Sequence, residues 1–208
     1  MNKLKKKCDM QKSYSIGNIL ELGWNVFLSK FIDRSIRIIR RPFTLRGRKY
    51  IDFGMSLTTG VGCRCDCVPG IDSAAKKLVF GKNVQINDYV HIVAMEKVTI
   101  GDDVLMASHV FISDNSHGSY KGDELDSDPR VPPIQREYRT SPVTIGKSSW
   151  IGEGVIIMPG VSIGEGCVIG AHSIVNRDIP NYTVAVGTPI RLIKRYDFET
   201  RRWMKIDS

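Results

Sequence analysis

Aliphatic side chains recur every six positions through most of this 208-residue chain. From Ile145 the steps run to Ile151, Ile157, Ile163, Ile169 and Val175. The residue after each is Gly146, Gly152, Met158, Gly164, Gly170 or Asn176. Four places after each falls Ser149, Val155, Val161, Cys167, Ser173 or Ile179, mostly small or β-branched. An amphipathic helix repeats its faces every 3.6 residues, and simple strand alternation does not place glycine at every sixth position. The same period links Phe80, Ile86 and Ile92, and then Ile100, Met106 and Ile112, with a two-residue slip between the sets at Met95–Lys97. Leu45, Ile51 and Leu57 form a weaker set, and Gly60–Leu78 is irregular.

A solenoid satisfies this period. Each hexad makes a short strand and a turn, with the aliphatic residue pointing inward and Gly, Asn or Asp beside it accepting the turn geometry. Three hexads make one coil, and coils stack at the parallel strand spacing of about 4.8 Å, so roughly five coils give a prism about 25 Å tall. The core is then Ile, Val and Leu stacked on their own kind. That suits 19 glycines and an aromatic content of 8%.

Upstream of Pro42 the pattern changes. Ile16, Ile19, Leu20, Phe27, Leu28, Phe31, Ile32, Ile36 and Ile39 recur at three- and four-residue steps, with Trp24 on the same arc. This predicts an amphipathic helix ending at Pro42. The expected units are a leader and helix over 1–41, a β-helix over 42–190 and a C-terminal segment over 191–208.

Charge sharpens the picture. Residues 1–50 hold 13 Lys and Arg against 3 Asp and Glu, whereas the rest hold 17 against 19. A general nucleic-acid binder spreads its charge over the folded surface, so nucleic acid is not an expected partner. A basic amphipathic leader fits contact with an anionic membrane surface, against the plainer reading of a helix packed on its own domain. No run of about 18 apolar residues spans a membrane, and no signal peptide is evident. An odd count of five cysteines fits a reduced, cytoplasmic setting. Cys63-Arg-Cys65-Asp-Cys67 is too tightly spaced for a structural zinc site and fits one face of a strand, and Cys167 is core. No metal is expected.

Ile100-Gly-Asp-Asp-Val104, Trp150-Ile-Gly-Glu-Gly154, Pro159-Gly-Val-Ser-Ile-Gly164, Gly170-Ala-His-Ser-Ile-Val175 and Val186-Gly-Thr-Pro-Ile190 resemble the hexapeptide-repeat acyltransferases. The likeness covers about residues 42–195 and is greatest to the galactoside, maltose and polysaccharide O-acetyltransferases. It implies an all-β solenoid, specifically a left-handed parallel β-helix, working as a homotrimer with acetyl-CoA as co-substrate. The handedness comes from the resemblance, since parallel crossovers ordinarily run right-handed.

The period breaks over Ser113–Pro142, a polar stretch with four prolines that starts Ser113-Asp-Asn-Ser-His-Gly118. A long structureless loop inside a compact domain is usually functional or disordered. The resemblance puts the catalytic histidine near its start, at His117, against the plain alternative of a solvated loop histidine. An imidazole suits acetyl transfer because it removes a proton from a hydroxyl and returns one to a departing thiolate. Asp114 and Asn115 would orient that ring or hold a turn, and Asp-Asn-Ser composition favours the turn. His91, His109 and His172 should face outward as surface or intersubunit residues.

Trp150 should also face outward, covered by a neighbouring subunit or stacked on a sugar. Asn87 matches an acceptor-binding position of the family, whereas the family's acidic acceptor position falls on Met95, which argues against a simple galactoside or maltose enzyme. Coenzyme contacts carry over to Glu153, Ala171, Asn176, Arg177, Arg191 and Lys194, where the cations suit phosphates and Ala171 leaves room for a pantetheine arm. Gly187-Thr-Pro189 should turn the chain into a C-terminal segment packed on that groove. The expected function is O-acetylation of a sugar of a bacterial surface polysaccharide or its precursor. The rivals are N-acetylation of an amino sugar, a carbonic-anhydrase-like β-helix with three metal-binding histidines, and a non-catalytic trimeric scaffold.

Overall fold

A computed structural model describes residues 15–68 and 75–206. The sequence-level reading of residues 1–14, including Cys8, and part of the irregular Gly60–Leu78 stretch lie outside the described residues. The rest forms a three-faced coil of short parallel strands. One face stacks Thr58–Thr59, Gln85–Ile86, Leu105–Met106, Trp150–Ile151, Val168–Ile169 and Thr183–Val186, with Ile38 bridged to Thr58 at its start. A second stacks Phe43–Arg46, Cys63–Cys67, His91–Ala94, Phe111–Ser113, Ile156–Ile157 and Ile174–Val175. The third stacks Ile51–Asp52, Leu78–Phe80, Val98–Ile100, Val143–Ile145 and Ser162–Ile163. The second face counts six coils, one more than the period suggests.

In register, Cys65, Ile92, Ile112, Ile157 and Val175 lie one above another. All are buried, as are Ser149, Val155, Val161, Cys167, Ser173 and Ile179 at the small inward positions. The glycines have a different cause from the expected one. A Cβ on Gly81 would lie 2.6 Å from the Asp102 amide nitrogen, on Gly101 2.6 Å from that of Lys147, on Gly146 2.5 Å from the Gly164 carbonyl carbon, and on Gly164 2.5 Å from the Asn181 amide nitrogen. None of these four is in the left-handed region; close approach of the next coil excludes a side chain. The left-handed backbone falls two residues later, at Asn83, Asp103, Ser148 and Gly166.

The N-terminal helix is shorter than expected. It spans Ile16–Ile32 and stops well before Pro42. Ser15 caps it with a reciprocal bond to Asn18, and Asp33 ends it in extended backbone, its carboxylate accepting from the Ser35 amide at 2.9 Å and hydroxyl at 2.7 Å. That turn wins over helical periodicity, so Ile36, Ile38 and Ile39 are buried as the first rung of the solenoid.

The C-terminal segment folds back on the solenoid. Arg191–Asp197 pairs antiparallel with Thr183–Val186, and Arg202–Lys205 pairs with Arg191–Asp197. Gly187, in the left-handed region at φ +103, sits at the reversal. The segment therefore extends one face of the solenoid and covers its last strand edge, where an open edge would invite another chain.

Candidate active site

The break in the period is an ordered arm and not a structureless loop. Asn115–His117 pairs antiparallel with Tyr138–Thr140, His117 opposite Tyr138 and Asn115 opposite Thr140. The Ser141 amide donates to the Asp114 carbonyl at 2.8 Å, which closes the arm at its base. Alternation along the ribbon sorts the side chains. Asn115, His117 and Tyr138 line one hollow of about 380 Å³ over the second face. Ser116 and Arg139 line another of about 350 Å³ on the opposite side, and Met158 and Pro159 border both.

His117 is exposed, with its ring centroid 4.5 Å from that of Tyr138 and inclined at 47°. The Tyr120 hydroxyl donates to the His117 carbonyl, and Arg136 donates to that same hydroxyl at 2.7 Å. The imidazole thus belongs to a braced ribbon.

Asp114 has the turn role and not the orienting one. It is fully buried, and its carboxylate accepts from the backbone amides of Met95 at 2.9 and 3.0 Å, Glu96 at 2.8 Å and Lys97 at 2.8 Å. Those three residues are the two-residue slip in the period. The slip and the arm are therefore one feature: an irregular corner in one coil is held by the residue that launches the arm from the next.

Two residues of the hollow were not singled out by the period. Tyr138 lies within the break, where no repeat marks it. His91, expected as a surface or intersubunit residue, sits in the hollow with Asp66 Oδ2 3.3 Å from its Nε2. Asp66 is itself buried and paired with Arg64 and, at 3.7 Å, with Arg46. The outward alternation of Arg64, Asp66 and His91 on paired strands was legible, but the sequence could not say that the arm folds back over them. Apart from Ser113, the remaining wall is apolar, including Val93, Met95 and Phe111. His109 and His172 lie exposed at a different corner, in left-handed backbone.

The coenzyme candidates divide between two edges. Asn176, Arg177 and Arg191 share a cleft of about 210 Å³, where Arg177 Nη2 donates to the Ile190 carbonyl at 3.0 Å. This cleft lies on the edge that carries His117: Ile156–Ile157 pairs with Ile174–Val175, and the Met158 amide donates to the Val175 carbonyl at 3.0 Å. Asn176–Arg177 is thus one rung above Met158, on the floor of the His117 hollow.

Glu153 and Ala171 lie instead on the edge leaving the Trp150 face. Glu153 accepts from the Ser108 amide at 2.9 Å, so its carboxylate holds a corner, and Ala171 is exposed. Lys194 lies on the antiparallel C-terminal strand, opposite Val184. Trp150 is 52% exposed on its face, in register with Leu105 and Val168. Asn87 lies along the same face, in a cleft of about 320 Å³ with Arg40 and Thr58. One chain does not bring Trp150, Asn87, Glu153 or Ala171 to the His117 hollow.

The three adjacent cysteines fill the second coil. Cys63, Cys65 and Cys67 are buried, and burial pushes the Cys63 thiol up to about 11, the Cys67 thiol up to about 12, and Cys65 well above its ordinary value. These are poor nucleophiles.

Comparison with known proteins gives a consistent result. The family described as bacterial transferase hexapeptide (six repeats) matches residues 142–177. The chain is 43% identical over 196 residues to Escherichia coli K12 WbbJ, whose assignment as a lipopolysaccharide biosynthesis O-acetyl transferase is provisional; the match covers 94% of this chain and 97% of WbbJ. It is 39% identical over 128 residues to the galactoside O-acetyltransferase of the same organism, covering 59% and 56% of the two chains. Among solved structures, a maltose O-acetyltransferase from Clostridium difficile 630 superposes with a TM-score of 0.56 at 29% identity, over 86% and 88% of the chains. AntD, an N-acyltransferase from Bacillus cereus solved with dTDP-4-amino-4,6-dideoxyglucose and coenzyme A, superposes with a TM-score of 0.64 over 80% and 83%. At 22% identity that likeness is one of fold.

Proposed function

The chain belongs to the hexapeptide-repeat acetyltransferases, with their left-handed parallel β-helix fold, and from that premise we propose that it transfers acetyl from acetyl-CoA to a sugar hydroxyl of a bacterial surface polysaccharide or its precursor. One observation carries the reading: the His117 hollow and the Arg177–Arg191 cleft occupy the same edge of the solenoid, a rung apart. Rungs are about 4.8 Å apart. A pantetheine arm running down that edge links phosphates among the cations to a thioester beside the imidazole.

His117 takes the proton of the acceptor hydroxyl as its oxygen attacks the thioester carbonyl. The tetrahedral intermediate collapses, the C–S bond breaks, and the imidazolium returns the proton to the coenzyme thiolate. The products are a sugar acetate and free coenzyme A. No acyl-enzyme is needed, because holding both reactants in one cleft replaces covalent capture. Tyr138 keeps one side of the imidazole in place.

A homotrimer completes this site. A neighbouring copy brings its Trp150 edge, with Asn87, Glu153 and Ala171, against the His117 edge of the first. Met95 and Phe111 then present an apolar wall to the acceptor ring. The reaction runs in the cytoplasm.

His117→Ala tests the reading. Turnover, followed as thiol release from acetyl-CoA with sugar acceptors, falls by roughly 10²-fold or more, as expected for loss of a general base. Thermal stability is unchanged, because the ring is exposed. Wild-type turnover in the variant overturns the assignment. Alkali-stable acetyl in the product would point instead to an amide and an amino-sugar acceptor.

A further inference from the structure

The N-terminal helix is docked with its polar edge inward. Asn25 is 4% exposed and Ser29 is fully buried. The Ser29 hydroxyl donates to the Asn25 carbonyl at 2.6 Å and accepts from the Ile39 amide at 2.7 Å, which fastens the helix to the first rung. Leu22, Leu28 and Ile32 are half-buried beside this seam. The opposite face is apolar and open. Ile16, Leu20, Trp24, Phe27 and Phe31 recur at four-, four-, three- and four-residue steps and are 52–79% exposed. Trp24, Phe27 and Phe31 pack on one another at centroid distances of 5.5 and 5.0 Å. A helix of this length carries such a stripe for about 25 Å. A continuous exposed stripe of that size marks an interaction surface.

Cations border it. Lys30 donates to the Arg34 and Ile36 carbonyls, and Arg34, Arg37 and Arg41 are exposed on the segment that joins the helix to the first rung. The acidic side chains from residue 15 to 50 are Glu21 and Asp33, and Asp33 is held by Ser35. The Ile38–Thr58 bridge fixes this region at the starting end of the solenoid.

We propose that this end of the molecule docks on an anionic phospholipid surface. The stripe Ile16, Leu20, Trp24, Phe27 and Phe31 enters the headgroup–acyl boundary, and Arg34, Arg37 and Arg41 meet lipid phosphates. An interfacial helix combines an apolar face, an amphipathic aromatic and flanking cations in this way. Anionic headgroups match the charge, whereas a second copy brought helix to helix would set one basic end against another. In a parallel trimer the three helices lie at the same end, so one docking event makes the next intramolecular. The inference stands independently of the transferase reading, because neither its residues nor its test uses the His117 hollow.

The full chain is floated with vesicles of phosphatidylglycerol and phosphatidylethanolamine, and in parallel with pure phosphatidylcholine. Partitioning into the anionic vesicles is expected to exceed that into phosphatidylcholine by at least tenfold and to fall steeply with added salt. Trp24→Ser/Phe27→Ser/Phe31→Ser and, separately, Arg34→Gln/Arg37→Gln/Arg41→Gln each reduce it at least tenfold, with unchanged molecular mass by light scattering and unchanged melting temperature. Equal partitioning into both vesicle types, or undiminished binding by either variant, overturns the proposal. A lower oligomeric mass in the aromatic variant overturns it too, because the stripe is then an interface between copies.

Discussion

Asp114→Asn isolates what holds the arm to the solenoid. The wild-type carboxylate, fully buried, takes the amides of Met95, Glu96 and Lys97 on two oxygens, and Asn115 Nδ2 donates to it at 3.0 Å. Asparagine keeps the shape but leaves one acceptor oxygen and turns an NH₂ group toward amides that are themselves donors. If its oxygen stays with Glu96 and Lys97, the Met95 amide keeps only its 3.0 Å branch to that oxygen and now faces an NH₂ group, and the Asn115 side chain loses its acceptor. Two bonds to a charged group, one lost and one weakened, at roughly 1.5–3 kcal/mol each set an upper bound of about 6 kcal/mol. Removing a buried charge returns part of this as relieved desolvation, so a net loss of about 2–4 kcal/mol is expected. Urea unfolding at fixed protein concentration measures it. With a slope of roughly 2 kcal/mol per molar urea, the midpoint falls by about 1–2 M. Turnover should drop as well, by about tenfold or more at temperatures where the variant is folded, because the same corner sets the start of the arm and small misplacement of a catalytic group is costly. A midpoint within about 0.2 M of wild type refutes the argument that this carboxylate fastens the slip. Lost stability with full turnover would keep the corner role and sever it from the position of His117.

Two further outcomes follow from the core. Gly146→Ala places a Cβ 2.5 Å from the Gly164 carbonyl carbon, where backbone and not a flexible side chain must yield; a loss above about 3 kcal/mol is expected, and a midpoint equal to wild type would sink the close-approach explanation of the glycine ladder. The buried thiols give a pH signature. Cys63 and Cys67 keep their protons up to about 11 and about 12, chiefly because burial penalises the thiolate, with the Asp114 charge adding to the effect at Cys67. Below the ordinary thiol value of 9.0 folded and unfolded chains bind the same protons, so these groups add no pH dependence. Above it the unfolded thiols ionise first, and stability falls as pH rises through this window. In Cys63→Ala/Cys67→Ala the slope of stability between pH 9 and 11 should flatten, whatever happens to its absolute value; identical slopes would show that these thiols do not titrate differently on folding.

The sequence alone determined the solenoid. A six-residue period leaves few structures that bury Ile151, Ile157 and Ile163 together, because stacked coils repeat the same local contacts at every rung; that Gly146 and Gly164 answer to the close approach of the next coil, and not to turn geometry, was decided by the structure. The interruption after Ile112 was equally legible, and with it the place of His117 near its start. Tertiary structure decided what the interruption is. Asp114 reaches the backbone of Met95–Lys97 in the preceding coil, and Tyr138 returns beside His117, through contacts that follow no local period. It also ended the helix at Ile32, where an Asp33–Ser35 turn and burial of Ile36 and Ile39 in the first rung outweighed helical spacing. Which side of that helix faces the protein was a tertiary choice as well: of the apolar arc read from the sequence, Ile16, Ile19, Leu20, Trp24, Phe27 and Phe31 are exposed, Leu28 and Ile32 are half-buried and Ile36 and Ile39 are buried, while the buried Ser29 hydroxyl accepts from the Ile39 amide and donates to the Asn25 carbonyl.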